Sequence, residues 1–279
     1  MISLHNDYVS LMADEHDGMT VVFLKYKGME TVLYDEERRK SGATYGIPIL
    51  FPTPNRISGG EFTFNGKRIK GEMHGALRHA VFRITSQSET SVEGEVPFSA
   101  LGETFPYDGR IKLSLHIEGT AVIWDFSVIN EGDEPLAFGL ALHPFFRKTA
   151  VMRFSSSLDY EMVSDDDKIP TGECLETDFG KEKDVQSIDT DTVFFSDSAI
   201  RSVLSSPDYS IEIAGSDEFN HVVVYTSPER PFVCVEPQTC STDAHNLYSK
   251  GYEKESGLII VPGNTVHELS VRMVFSGRV

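Results

Sequence analysis

The chain contains little that would build a helical protein, a disulfide framework or a membrane span. Apolar residues at helical spacing are nearly absent, which argues against a helical bundle or an alternating helix–strand fold. Only 3 cysteines occur among 279 residues, in neither an even set nor a C-x-x-C pair, so a reducing compartment is favoured. No apolar run approaches the ~20 residues of a membrane span. We therefore expect a globular protein that does not contact a membrane.

Positive charge is also scarce. The 25 Lys and Arg residues are outnumbered by 43 Asp and Glu residues, and the formal net charge is −18. Because no basic run is present to neutralise phosphates, we do not expect nucleic acid as a partner. The N-terminal segment lacks the basic region and apolar core of a secretory signal, so the expected location is cytoplasmic.

What the chain has in abundance is alternation of apolar and polar residues with a period of two. It is clearest at residues 110–118, 121–130 and 265–275. In the second stretch, the apolar residues at the even positions from 122 to 128 share one face, and Asp125 and Ser127 point the other way. Such alternation is typical of strands with one buried face. Strands at this spacing without intervening helices predict an all-β fold, a large antiparallel β-sandwich.

Three segments complete the predicted organisation. Residues 61–70 predict a hairpin, because the central Asn-Gly dipeptide suits a tight turn with two positive φ angles. Residues 35–40 are the best candidate for a short helix. Residues 155–191 are acidic and irregular, and we interpret them as a long excursion within one domain rather than a linker. Residues 1–279 are thus predicted to form a single domain.

Two titratable residues stand at the ends of apolar runs that should be buried. His143 follows FGLAL and precedes a proline that restricts it to extended geometry. Glu236 follows PFVCV, and Pro237 is expected to end that strand. An imidazole and a carboxylate fixed at the mouth of a sheet can donate and accept a proton near neutral pH. The alternatives are a hydrogen-bonded core histidine, and a salt bridge from Glu236 to Arg56 or Arg78.

Two further polar stretches, PTPNRI and MHGALR, flank the predicted hairpin. Arg56, His74 and Arg78 can donate hydrogen bonds to a polar ligand, and Arg forks suit hydroxyls, carboxylates or phosphate alike. Gly75 would let the backbone approach that ligand closely. His74 and His79 are five apart without a second ligand pair, so no metal site is expected.

Taken in order, these motifs resemble those of the aldose 1-epimerase (galactose mutarotase-like) family. The resemblance is carried by GIPILFPTPNRI at 46–57, FNG at 64–66, HGALR at 74–78, GLALHPFF at 139–146 and VEP at 235–237. Weaker support comes from DTVF at 191–194 and LIIVPGN at 258–264. Each motif alone is unspecific, but their order and spacing extend the resemblance over residues 15 to 275.

The resemblance implies a single-domain antiparallel β-sandwich that interconverts the α and β anomers of an aldose. By position, His143 would be the general acid and Glu236 the general base. A hemiacetal opens when a base removes the O1 proton while an acid protonates the ring oxygen, and we expect the two groups on opposite sides of the sugar ring. No cofactor is expected, because only a hemiacetal bond breaks.

The resemblance also implies which residues hold the sugar. Arg56 and His74 would bind it, and Asp191 would hold its hydroxyls, with Asp189 as an alternative. Arg78 is shared with family members that act on phosphorylated hexoses. The expected partner is a small monosaccharide, bound by a monomer or a homodimer.

Two other functions stay open at this point. A hexose-6-phosphate epimerase would need a phosphate clamp, for which Arg56, Arg78 and Arg147 are candidates, although a net charge of −18 does not attract phosphate. A sugar-binding protein would need the pocket but not the acid–base pair.

The chain departs from the family pattern at Gln238, where an aromatic would face the sugar, and at residues 145–146, where Phe-Phe replaces a pairing with Tyr.

Overall fold

Antiparallel strands dominate the computed structural model, which describes residues 1–277. In chain order the strands are β1 (Ile2–His5), β2 (Val9–Asp14), β3 (Thr20–Tyr26), β4 (Met29–Glu30), β5 (Ile49–Leu50), β6 (Glu61–Phe64), β7 (Lys67–Lys70), β8 (Arg83–Gln87), β9 (Ser91–Pro97), β10 (Gly109–Glu118), β11 (Ala121–Asn130), β12 (Leu136–Phe138), β13 (Ala141–Leu142), β14 (Phe145–Arg147), β15 (Arg153–Ser156), β16 (Tyr160–Ser164), β17 (Pro170–Glu176), β18 (Lys183–Asp184), β19 (Thr190–Phe195), β20 (Arg201–Ser205), β21 (Ser210–Gly215), β22 (His221–Thr226), β23 (Phe232–Gln238), β24 (Ile259–Val261) and β25 (Thr265–Ser276). The α-helices are α1 (Glu36–Lys40), α2 (Ala244–Ser249) and α3 (Glu253–Ser256), and 3₁₀ turns lie at Ser58–Gly60, Leu77–His79, Phe98–Thr104 and Val185–Ser187. Within these described residues, every helix is too short or too polar to cross a bilayer.

The strands are arranged in two large antiparallel sheets. The nine-stranded sheet has the order β18-β15-β20-β21-β25-β11-β10-β9-β8. The eight-stranded sheet has the order β17-β16-β19-β22-β23-β13-β5, and β14 also pairs with β23. Strands β1 to β4 form a third sheet, and β6-β7 and β12-β24 form two ribbons. One core cluster draws residues from Ile2 to Phe275, which confirms the predicted all-β sandwich.

The longest strands follow the predicted alternation. In β11, Trp124 is fully buried, whereas Asp125 and Ser127 are partly exposed. Trp124 lies opposite Val271 of β25, and both side chains face the core. Because burying one large apolar side chain contributes about 1.5–3 kcal/mol, the paired faces of β10, β11 and β25 supply much of the stability of the sandwich.

Both short-range predictions are confirmed. Strands β6 and β7 pair across Asn65 and Gly66, whose φ angles are 48° and 73°. Helix α1 occupies the predicted segment and is capped by Asp35, whose carboxylate accepts hydrogen bonds from the backbone N–H groups of Glu37 and Arg38 at 3.0 Å each. Turn chemistry and capping are local, which is why they can be read directly from the sequence.

The prediction of an irregular excursion over residues 155–191 is wrong. This segment contains β16, β17 and β18, the end of β15 and the start of β19. β17 lies at the edge of the eight-stranded sheet, and β18 at the edge of the nine-stranded one. Edge strands carry charged residues and bury little, which conceals their alternation. β16 lies next to the edge strand β17, and Met162 is its only buried residue.

Candidate active site

The register of the eight-stranded sheet places residue 143 opposite residue 236. Strand β13 pairs with β23 so that Ala141 lies opposite Gln238. Strand β14 pairs with the same strand so that Phe145 lies opposite Cys234. The two pairs belong to one antiparallel register. Residue 143 is midway between the first pair's and the second pair's residues on one side, and residue 236 is midway on the other side, so the two residues lie opposite each other.

His143 and Glu236 make direct contact at this position. Nδ1 of His143 lies 3.3 Å from Oε1 of Glu236, and the two side chains are only 6% and 2% exposed. The contact is not aligned as a hydrogen bond, and Nδ1 finds no other partner within residues 1–277. Phe145 stacks on the ring of His143 with the planes 10° apart. His143 and Glu236 lie at the floor of a cleft of about 200 Å³.

This contact corrects the expectation that the acid and the base lie on opposite sides of a sugar ring. A ring cannot fit between Nδ1 of His143 and Oε1 of Glu236 when these atoms are 3.3 Å apart. O1 and the ring oxygen of an aldopyranose are bonded to the same carbon. Two groups that lie side by side can therefore serve both oxygens.

Glu236 does not end its strand, contrary to prediction. Strand β23 continues through Pro237, which stays in register opposite Val222 of β22. Because successive residues of a strand donate to alternate neighbours, one proline removes a single bond from the ladder. The backbone on both sides of Glu236 is held in the sheet, so its carboxylate is fixed in position.

Burial shifts the pKa of both members of the pair. Desolvation raises the pKa of Glu236 well above its usual 4.5, and the charge of Asp191 acts in the same direction. Desolvation also lowers the pKa of His143 well below its usual 6.5, with His74 and Arg38 adding to the effect. Both shifts favour a protonated carboxyl beside a neutral imidazole. The pair then holds one proton between its two members.

His74 lines the cleft beside this pair. Its ring contacts that of His143 edge-on, with the centroids 5.5 Å apart. Burial lowers the pKa of His74 to about 3, and the charges of Arg78, Arg56 and Arg38 contribute. The imidazole is therefore neutral near pH 7, and it offers a ligand one hydrogen-bond donor and one acceptor.

Gly75 is needed for a close packing of the backbone, a role that the sequence analysis did not predict. Its φ is 71°, and a Cβ at this position would lie 2.1 Å from the carbonyl oxygen of Phe51. The close approach holds the loop that carries His74 against the segment that leads to Arg56.

Gly75→Ala is expected to lower the free energy of unfolding by at least about 3 kcal/mol, because it combines a left-handed φ with a backbone clash. Gly66→Ala is the matched control, since its φ is 73° but nothing lies within 4 Å of its Cβ. That control is expected to lose only about 1–2 kcal/mol. Urea unfolding of both variants measures the difference, and equal losses would contradict the close contact.

Three guanidinium groups line the cleft, those of Arg38, Arg56 and Arg78. Nη2 of Arg56 lies 3.6 Å from Oδ2 of Asp191. Nη1 of Arg78 donates to the carbonyl of Gly42 at 2.8 Å. The alternative that Glu236 forms a salt bridge with Arg56 or Arg78 is therefore wrong, because both arginines have other partners.

Arg38 is a site residue that the sequence analysis missed. It lies on α1, and its Nε donates to the carbonyl of Thr44 at 2.7 Å. Its guanidinium lies 5.0 Å from the centre of the Phe145 ring, on which His143 stacks. The helix itself was predictable, but its docking beside β14 depends on tertiary packing.

The structure shows which of the remaining candidate residues line the cleft. Asp191 lies on β19 opposite Tyr225 of β22, and both line the cleft. Asp189 is exposed and precedes that strand, so Asp191 is the one placed at the cleft. Arg147 lies at the end of β14 with Nη2 3.3 Å from Oε2 of Glu30. Arg147 thus does not line the cleft with the other predicted arginines.

Gln238 is fully buried and does not line the cleft, so it does not take the place of an aromatic that faces the sugar. Its amide nitrogen donates to Oε2 of Glu236 at 3.2 Å, and its amide oxygen accepts from Nδ2 of Asn55 at 2.8 Å. This chain of amides holds the carboxylate in one orientation. Phe145 and Phe146 are both buried as well.

Comparison with known proteins agrees with this architecture. The sequence model of the aldose 1-epimerase family matches residues 18–266. The chain therefore belongs to the aldose 1-epimerase family, whose members are sugar epimerases.

Solved structures share the fold. The chain is similar to a galactose mutarotase-like protein from Clostridium acetobutylicum, with 20% identity over 99% of this chain and 95% of that one, and a TM-score of 0.85. It is also similar to a GalM/aldose epimerase homologue from C. elegans, with 16% identity, 99% and 98% coverage, and a TM-score of 0.82. A galactose 1-epimerase from Lactobacillus acidophilus NCFM shows 14% identity, 99% and 93% coverage, and a TM-score of 0.73. At these identities the likeness establishes the fold alone.

Proposed function

We propose that the protein is an aldose 1-epimerase that interconverts the α and β anomers of an aldohexose. The observation that carries the proposal is the 3.3 Å contact between Nδ1 of His143 and Oε1 of Glu236 on the floor of the cleft. Two proton-transfer groups this close can act together on the two oxygens of one anomeric carbon. Family membership supports the same reaction.

The proposed reaction moves protons and breaks only one bond. Glu236 removes the proton from O1 while His143 protonates the ring oxygen, and the bond between C1 and that oxygen breaks to give the open-chain aldehyde. Rotation about C1–C2 then presents the other face of the carbonyl. Closure reverses both transfers, so Glu236 and His143 return to their starting states and neither a cofactor nor a covalent intermediate is needed.

The reactive form of the pair has an ionised Glu236 and a protonated His143, whereas burial favours the uncharged form. The two forms differ by one proton that moves between the partners, so their ratio does not depend on pH. In the bound state, the O1 hydroxyl would donate to the carboxylate of Glu236, and such charge-assisted hydrogen bonds favour the ionised form. Arg56 acts in the same direction, since its charge lowers the pKa of Glu236.

Arg56, His74 and Asp191 would hold the sugar. The side chains of Arg56 and Asp191 are 43% and 33% exposed at the cleft, so they remain accessible to hydroxyls. One donates and the other accepts hydrogen bonds, and a hydroxyl can do both. His74 lines the cleft, and its neutral imidazole can exchange hydrogen bonds with a hydroxyl.

A hexose 6-phosphate is a second candidate substrate. The observation that favours it is the set of three guanidinium groups in the cleft, in a chain whose net charge is −18. Arg38 would replace Arg147 in the phosphate clamp, beside Arg56 and Arg78. Arg78 also approaches Glu72, with Nη2 3.6 Å from Oε1. Guanidinium forks bind phosphate oxygens two at a time.

Polarimetry on freshly dissolved α-D-glucose and α-D-galactose tests the proposal. Exchange NMR at equilibrium applies the same test to the 6-phosphates. We expect the protein to accelerate anomer exchange of at least one of these sugars. A preference for a 6-phosphate that is lost in Arg38→Met would support the second candidate. Sugar binding in a calorimeter without acceleration of any sugar would contradict both and would indicate a sugar-binding protein.

A further inference from the structure

We propose that His143, Cys234 and Glu236 together form a binding site for a thiophilic divalent cation such as Zn²⁺. Each residue offers one ligand atom, these atoms lie within 4.8 Å of one another, and all three residues are buried. An imidazole, a thiolate and a carboxylate are a donor set that Zn²⁺ accepts, and three protein ligands leave a fourth position open. That position would face the cleft, which His143 and Glu236 line.

The sheet brings the three ligands together. Cys234 and Glu236 are two residues apart on β23, so their side chains share one face. His143 lies across the ladder from Glu236, and Phe145 lies across from Cys234. Tetrahedral Zn²⁺ holds its ligand atoms about 3.5 Å apart, so the side chains need to move by only about 1 Å.

A second observation points to a ligand at the same place. Nδ1 of His143 is buried, and the described part of the chain gives it no hydrogen-bond partner. Buried polar atoms are nearly always paired, and a cation would supply the missing partner. The sequence analysis did not consider these three residues together as ligands, because nothing local shows that residue 143 lies near residue 234.

Binding would not leave a net charge in the interior. The cation brings two positive charges, and two protons leave: the thiol proton of Cys234 and the carboxyl proton of Glu236. Both protons pass to the solvent. The exchange is therefore electroneutral, which avoids the large cost of burying an unpaired charge.

Titration with Co²⁺ in place of Zn²⁺ tests the site through its absorption spectrum. One Co²⁺ per chain should produce a thiolate-to-cobalt charge-transfer band in the near ultraviolet, and Zn²⁺ should displace it. Cys234→Ala should abolish the band and weaken Zn²⁺ binding at least about tenfold. Cys240→Ala is the matched control, because Cys240 is equally buried but lies outside the cluster, and both readouts should be unchanged.

The absorption spectrum tests the metal site without any measurement of enzyme activity. A wild-type protein that gives no band, or a Cys234→Ala variant that binds Zn²⁺ as tightly as the wild type, would overturn the site. If Cys234→Ala fails to fold, Cys234→Ser keeps the shape of the side chain without the thiolate. Zn²⁺ should also inhibit anomer exchange, a consequence that rests on the proposed function, and a protein with the band but no turnover would refute only that function.

Discussion

Glu236→Gln is expected to slow anomer exchange by about 10²–10⁴-fold while sugar affinity stays nearly unchanged. The amide keeps the shape of the side chain and can still hydrogen-bond Gln238, but it cannot take the proton from O1. Polarimetry gives the rate, and calorimetry with the preferred sugar gives the dissociation constant. A variant that keeps the wild-type rate would remove Glu236 from the mechanism.

The stability of the same variant checks that the protein is folded and that the carboxyl is buried. Folding raises the pKa of Glu236, so the folded state binds this proton more tightly than the unfolded state does. The contribution of Glu236 to the stability of the wild type therefore falls as the pH rises from about 4.5 towards its folded-state pKa, and comparison with the variant isolates this contribution from those of the buried histidines. The advantage in melting temperature of Glu236→Gln over the wild type should grow with pH over that range. An advantage that shrinks would contradict the burial of an ionisable group.

His143→Asn should cause a loss of similar size, about 10²–10⁴-fold, because asparagine can hydrogen-bond the ring oxygen but cannot protonate it. The pH dependence of kcat/KM in the wild type is a more specific test of His143. Burial lowers the pKa of His143 well below 6.5, so a second proton joins the pair only in more acidic solution. The wild-type value of kcat/KM should therefore stay level as the pH falls through about 6.5 and decline only below it.

The profile of the variant completes the test. The residual activity of His143→Asn should lack the decline that His143 causes and should instead follow the ionisation of Glu236, whose pKa burial raises. Its acidic decline should therefore begin at a higher pH than that of the wild type. An acidic midpoint at or above 6.5 in the wild type would mean that His143 is accessible and charged, contrary to the structure. An unchanged decline in the variant would assign the midpoint to another group and count against His143 as the acid.

Much of the fold follows from local patterns. The alternation in β11 predicts which residues of that strand are buried, and Asp35 predicts the start of α1. Residues 61–70 predict their own hairpin. Each signal needs only neighbouring residues, because side-chain direction, capping and turn angles are local properties. The strands within residues 155–191 were missed because they lie at or next to sheet edges, where few residues are buried and apolar alternation is not required.

The sequence by itself determined the all-β class, the family resemblance and the candidate residues, because motif order and alternation are written along the chain. Only the tertiary structure decided that His143 lies beside Glu236, that Gln238 supports the carboxylate from behind, and that Arg38 rather than Arg147 lines the cleft. These placements depend on how β13 and β14 pair with β23 and on how α1 docks, and such contacts between distant segments arise only when the whole sheet assembles.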